Sequence, residues 1–485
     1  MKIISVFLMQ LLFLASCFAE TYYVSPSGSN SNNGLSQSAA FLTLQHASNM
    51  VSAGDSVIVL PGTYTGFYHT TSGTASQKIV FHAQQGALIN APNSTTNDGI
   101  NLEGADYIVI EGFTITGVPR AGIRSVINDH VIIRNNKADQ CGVWGIFTGF
   151  SEHITIENNE CSRSGDEHGI YFSNSADNPV IRGNTCWGNN GCGIHMNGDI
   201  SMGGDGIISN ALVEKNILYD NGTGGGSAIN CDGVQNSVIQ NNLAYNNHAS
   251  GISLYQIDGG GSSSGNVVVN NTILQPSDGR WALNISDGST NNKAFNNIFY
   301  SSHSFRGSIS IDAASMSGFK SNYNLQTNRM SNDGGNTNMT LAQWKQATQC
   351  DSNSVIASPA ALFVNASADN YHLLSSSPAI NLGRSSYYSA TAPLTDLDNN
   401  IRPQGIYPDA GAYEFMSATG ITEFTNAPVS WSAIEGTEKI NVFDGSGKLL
   451  FSGLKNQFNK ESLVTGYYII CTNDGKKIMK AGGMR

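Results

Sequence analysis

GIYFSNSADNPVIRGNTCWGNNGCGIHMN, residues 169–197, holds one short phrase twice: GIYFS at 169–173 and GIHMN at 193–197. Between them lies a second phrase, VIRGNTC at 180–186. Outward from this stretch both phrases recur. The first reads GIRS (122–125), GIFT (145–148), AINCD (228–232), GISLY (251–255) and ALNIS (282–286). The second reads VIEGFTI (109–115), VIIRNNKA (131–138), ITIENNECS (154–162), LVEKNIL (212–218), VIQNNLAY (238–245), VVVNNTIL (267–274) and KAFNNIFY (293–300). The opening Ile or Leu of the first phrase stands at 123, 146, 170, 194, 229, 252 and 283, at spacings of 23, 24, 24, 35, 23 and 31.

A repeat of this length with two strands per unit is a stack of coils, each burying its apolar face on its neighbours. Equivalent residues then lie one strand spacing apart, about 4.8 Å, and alternate side chains point in and out. Ile170, Ile194, Ile229 and Ile252 stack inward, followed two residues later by Phe172, Met196, Cys231 and Leu254. Asn136, Asn159, Asn184, Asn216, Asn242, Asn271 and Asn297 recur at one turn, where each amide can bond to the next coil. The fold class is therefore all-β, a right-handed parallel β-helix. Composition agrees: only 13% of the 485 residues are charged, with 53 Gly and 12 Pro, which disfavours long helices.

The ends differ from the coils. Lys2 and the apolar run Ile3 to Ala15 read as a signal peptide over 1–19. Leu14-Ala15-Ser16-Cys17 also reads as a lipoprotein box, leaving a lipidated Cys17. Residues 20–68 hold a helical stretch near 43–52 that would cap the open end. Coils fill 69–325, turn irregular over 326–416 and close with DLDNNIRPQGIYPDAGAYEF (396–415). Residues 420–485 alternate apolar and polar, with turns at Asp444-Gly445 and Asp474-Gly475, and read as a small β-sandwich. Of eight cysteines, Cys161 and Cys186 fall one coil apart and read as stacked small residues; a Cys186–Cys192 disulfide is open. The net charge of −11 argues against a nucleic-acid partner but not against an anionic glycan. A monomer is expected.

The opening YYVSPSGSNSNNG…GDSVIVLPGTY and the closing DAGAYEF resemble secreted β-helix polysaccharide lyases of the chondroitinase-B and alginate-lyase type, over roughly 21–415. The resemblance implies a pectate-lyase-like solenoid, an exported protein and an anionic polysaccharide substrate. The GYYII…KKIMK ending resembles the C-terminal sorting domain of proteins exported by the type IX secretion system of Bacteroidetes, which implies that machinery as a partner and favours the ordinary signal peptide.

Outward positions of the Gly-Ile strand carry the candidate chemistry. Tyr171 and Ser173, His195 and Asn197, Asn230 and Asp232, Ser253 and Tyr255, then Asn284 fall on consecutive coils of one face. Five coils span about 20–25 Å, enough for several sugar units. Insertions near 200–211 and 256–265 would wall the patch. β-Elimination on a uronate needs a base for the C5 proton, a group that neutralises the carboxylate and an acid for the leaving oxygen. His195 is the candidate base, with His168 its rival; Tyr255 is the candidate acid; Asn197 and Arg280 are candidates for the carboxylate. Tyr171, Asn230, Asp232, Gln256, Asp258, Trp281 and Asn284 are candidate substrate contacts, although a Trp such as Trp281 is more often a packing residue than a subsite residue.

The chondroitinase-B resemblance implies a Lys base, but the outward stripe has no Lys; Lys215 and Lys293 lie elsewhere. No catalytic residue is carried over from it. Three readings compete with the lyase: a glycoside hydrolase using Asp199, Asp232 and Asp258, with Asp166 and Glu167 at the edge of the patch, a uronan C5-epimerase, and a non-catalytic glycan-binding surface protein. Calcium is a candidate ligand, with Asp199 and Asp232 as oxygen donors.

Overall fold

A computed structural model describes residues 19–416, 439–444, 449–457, 466–472 and 475–481. The signal peptide and lipoprotein-box readings lie outside the described residues. Three long parallel sheets of 12, 11 and 12 strands run the length of the solenoid, each coil giving one strand to each sheet. The Gly-Ile strands form the 11-stranded sheet. Its register carries Ile100, Ile123, Ile146, Ile170, Ile194, Ile229, Ile252, Leu283 and Ile309 in one row. Ile123 through Ile252 of that row are 0% exposed, so the inward stack forms a continuous core.

The asparagine row is a hydrogen-bonded ladder. The Oδ1 of Asn159, Asn184, Asn216, Asn242, Asn271 and Asn297 each accepts the backbone N–H and the Nδ2–H of the Asn one coil earlier. The ladder continues one rung further, to Asn324. The residue before each rung is left-handed: φ is 55° at Asn135, 56° at Asn158, 64° at Gly183 and 54° at Asn241. Asn and Gly tolerate that conformation best, which explains the paired Asn-Asn and Gly-Asn spellings.

The expected cap is the helix Leu44–Met50, with the Thr43 hydroxyl accepting the His46 N–H at 3.2 Å and Leu44 and Ala47 buried on the core. The closing segment docks along the turn row: Asn241 Nδ2 donates to Thr395 O, and Asn270 Nδ2 donates to Asp409 O. At its centre Arg402 pairs with Glu414 at 3.1 Å, their side chains 1% and 0% exposed. Cys161 and Cys186 are register partners, and the six cysteines from Cys141 to Cys350 are free and buried, so Cys186 and Cys192 are not bridged. Lys439–Asp444, Leu449–Leu454, Gly466–Thr472 and Gly475–Ala481 form a separate four-stranded antiparallel sheet, where a β-sandwich is expected. Among the described residues no helix is long and apolar enough to cross a membrane.

Candidate functional site

Register puts the outward residues where the repeat predicts. Phe147, Tyr171, His195, Asn230, Ser253 and Asn284 form one row; Ser173, Asn197, Asp232 and Tyr255 form the next. The two insertions meet beside them: Ile200 N–H donates to Asp258 O at 2.9 Å, and Gly260 N–H to Gly206 O at 2.7 Å. They form the wall.

A cleft of about 280 Å³ opens at the C-terminal half of the patch, lined in part by Asn230, Ser253, Tyr255, Arg280, Asn284 and Asp287. Asn230 Nδ2 donates to the Tyr255 hydroxyl at 2.7 Å, so the phenol proton is left for another acceptor. Burial, reinforced by the Asp232 charge, raises the Tyr255 pKa well above the usual phenol value, and the group stays protonated at neutral pH. Arg280 is exposed. It joins no ion pair among the described residues, whereas Arg120, Arg124, Arg134, Arg163, Arg182 and Arg402 are each held by a carboxylate. A free guanidinium beside a phenol is equipped to receive an anionic substrate. Asn284 completes that side.

Several sequence expectations need correction. Asp232 is 1% exposed, and its oxygens accept the backbone N–H groups of Ile257, Asp258 and Gly259 at 2.8 to 3.0 Å. It anchors the second wall loop and is neither a substrate contact, a metal ligand nor a hydrolytic carboxylate. Asp199 caps the short turn Ile200–Met202 through Ser201. The clusters of three or more His, Cys, Asp or Glu side chains among the described residues contain neither Asp199 nor Asp232. Asn197 is 4% exposed and gives its amide hydrogens to Tyr171 Oη at 3.1 Å and Asp258 Oδ2 at 3.4 Å; it positions those two residues instead of meeting a substrate carboxylate. Trp281 is 6% exposed and packs. Gln256 Nε2 donates to Gly259 O within its own loop. Asp258 stays on the exposed rim.

The two histidines face each other. His168 Nδ1 accepts the Cys192 N–H at 3.0 Å, so the proton of its neutral ring sits on Nε2, 2.9 Å from His195 Nδ1. His195 Nδ1 is thereby an acceptor, and its Nε2 carries a proton with no partner, buried. Desolvation brings the His168 pKa down to about 4 and holds His195 well below the ordinary imidazole value. Neither ring offers a lone pair to the cleft, which corrects the expectation that one of them is the base. Tyr171 stacks on His195 at 5.0 Å and has its pKa pushed up to about 12 by burial.

Sequence reading missed Asp287, the carboxylate that lines the cleft, and the aromatic pair Trp144 and Phe147 on the coil before Tyr171. Phe147 holds the same outward position as Tyr171, one residue after the stacked Ile, and that register could have found it. Asp287 follows the strand in a left-handed turn, φ 59°, and has no repeat signal.

Residues 48–224 match the family described as periplasmic copper-binding protein NosD. His168, Cys192 and His195 fall in that segment, with ligand atoms within 4.8 Å of one another. They do not fit a metal. A ligating imidazole donates through its other nitrogen, but His168 Nδ1 faces the Cys192 N–H and must accept. Burial also pushes the Cys192 thiol up to about 12. No curated protein matches the chain. Among solved structures, pectate lyase Pel9A superposes with a TM-score of 0.58 at 19% identity, over 82% of this chain and 96% of its own. XylC, solved with xylose, gives 0.50 at 11% identity, over 82% and 98%. An alginate lyase from Paenibacillus sp. str. FPU-7 gives 0.42 at 24% identity, over 52% and 90%. What the chain shares with Pel9A and XylC is the fold: it is a right-handed parallel β-helix of the pectate-lyase-like kind.

Proposed function

We propose that this protein is an exported polysaccharide lyase that cleaves a uronate-containing glycan by β-elimination. The observation that carries the reading is the unpaired Arg280 guanidinium sharing one cleft with the Tyr255 phenol. Arg280 and Asn284 bind the uronate carboxylate and stabilise the carbanion formed at C5. The Asp287 carboxylate takes the C5 proton. The electron pair moves into a C4–C5 double bond, the C4–O bond breaks, and the Tyr255 O–H gives its proton to the departing oxygen. Asn230 aims that phenol. Pectate lyase Pel9A lends support by analogy, since the same fold carries elimination there.

A glycoside hydrolase needs two carboxylates across the bond. The cleft is lined by one, Asp287, and Asp232 is saturated by backbone donors. Export through the type IX system follows from the GYYII…KKIMK resemblance and belongs to the same proposal.

The test is the ultraviolet absorbance of unsaturated uronate ends while the mature protein is incubated with anionic and neutral polysaccharides. A rise that Arg280→Ala and Tyr255→Phe each abolish is the expected result. New reducing ends without the absorbance would make the protein a hydrolase. Uronate inversion without new ends would make it an epimerase.

A further inference from the structure

The outward row changes character along the solenoid. Its C-terminal half is polar: Asn230, Ser253 and Asn284, with Arg280 at the rim. Its N-terminal half is aromatic: Phe147 and Tyr171, with Trp144 on the same strand as Phe147. Trp144 and Phe147 are half-buried, their centroids 4.6 Å apart at 38°. Tyr171 lies 5.9 Å from Trp144. The indole is fixed, because Trp144 Nε1–H donates to Glu167 Oε2 at 2.8 Å. From Phe147 to Asn284 the row crosses six coils, about 24 Å along the axis.

Charge is distributed as unevenly. Arg124, the cation next in the row beyond Phe147, is bound by Glu103 at 2.9 Å. The carboxylates of Asp166 and Glu167 stand at the aromatic end. Between Phe147 and Asn284, Arg280 is thus the cation outside an ion pair among the described residues, on a chain of net charge −11, and Arg306 lies one coil beyond it, away from the aromatic end. A glycan with a carboxylate on every unit would bring anions onto coils that hold no free cation between Arg280 and the aromatic end, where Asp166 and Glu167 stand, and like charge opposes such a partner. A neutral sugar has no such conflict and covers an aromatic face with its C–H groups.

We infer that the glycan is a heteropolymer, in which the uronate held at Arg280 continues, toward the N-terminal coils, into neutral sugars seated on Trp144 and Phe147. This rests on the cleft being the glycan site of the proposed lyase. It adds that the aromatic shelf is a binding site for uncharged sugar rings and that charge is read at the C-terminal end of the face.

The experiment is gel-retardation affinity of the full chain for hyaluronan, gellan and glucuronoxylan, in which uronates are separated by neutral sugars, and for polygalacturonate and alginate, in which every unit is a uronate. The tightest binder is expected among the first three. Trp144→Ala should weaken that polymer about tenfold, in line with the loss of one aromatic contact, while Trp144→Phe, which keeps a ring, should retain most of the affinity. Affinity for polygalacturonate should not change in either variant. Tightest binding to polygalacturonate or alginate would overturn the inference. So would an unchanged affinity in Trp144→Ala with an unchanged melting temperature, or no binding to any of the five. Absorbance of unsaturated ends, followed in parallel, reports on elimination separately: a heteropolymer bound through Trp144 but never cleaved would end the lyase reading and leave this one standing.

Discussion

Arg280 and Tyr255 reach the cleft from different coils, and each can be removed without touching the core. Arg280→Ala should lower kcat/KM by about 100-fold or more, the usual loss for a group that stabilises developing charge, with the melting temperature unchanged. Tyr255→Phe should lower kcat by a similar factor, about 100-fold, because the ring stays and the proton donor goes. His168 makes a prediction of another kind. Its folded pKa of about 4 lies below the ordinary value of 6.5, so the folded protein binds fewer protons than the unfolded chain between those limits. Stability is therefore complete above pH 6.5 and falls on acidification toward 4, at most about 1.4 kcal/mol per pH unit for one such group. His168→Gln, which keeps an acceptor for the Cys192 N–H, should flatten that slope in denaturant melts followed against pH.

Asp232 and the asparagine ladder act on whole elements. Asp232→Asn turns one acceptor into a donor facing the Asp258 N–H and should cost about 2 kcal/mol, with proteolysis of the 256–265 loop as the readout. Asn216→Ala removes the acceptor for two hydrogens of Asn184 and should cost about 3 kcal/mol in chemical melts. These elements also show what a sequence can and cannot tell. The inward Ile row and the Asn ladder were legible because they repeat, and a repeat can be read without knowing any contact. The residues of the outward row were placed correctly for the same reason. Their roles were not legible. Asp232 and Asn197 sit at outward positions but are roofed by the insertions, and only the folded loops reveal the N–H groups that claim Asp232. The histidine pair looked reactive as two isolated rings; its tautomer is dictated by one backbone N–H. Asp287 lies in a turn outside the repeat and carries no pattern at all.

For the whole molecule, the closing segment decides whether the C-terminal coils stay sealed. Arg402 and Glu414 are paired and buried, and burial pushes the Glu414 pKa up to about 7. Arg402→Ala strands that carboxylate and should cost about 3 to 5 kcal/mol, read as earlier melting and faster cleavage of the 384–414 stretch. The ladder has a wider consequence. Each rung bonds to the rungs above and below and to a backbone carbonyl of the coil before it, so its partners all lie on adjacent coils, whatever the length of the loops between them. A duplicated coil can thus be spliced in, or one deleted, while all remaining rungs find partners. The molecule is in effect a ruler graduated in steps of about 4.8 Å. Relatives with longer or shorter binding faces should differ from it by whole graduations, so that the reach of the shelf is inherited as an integer.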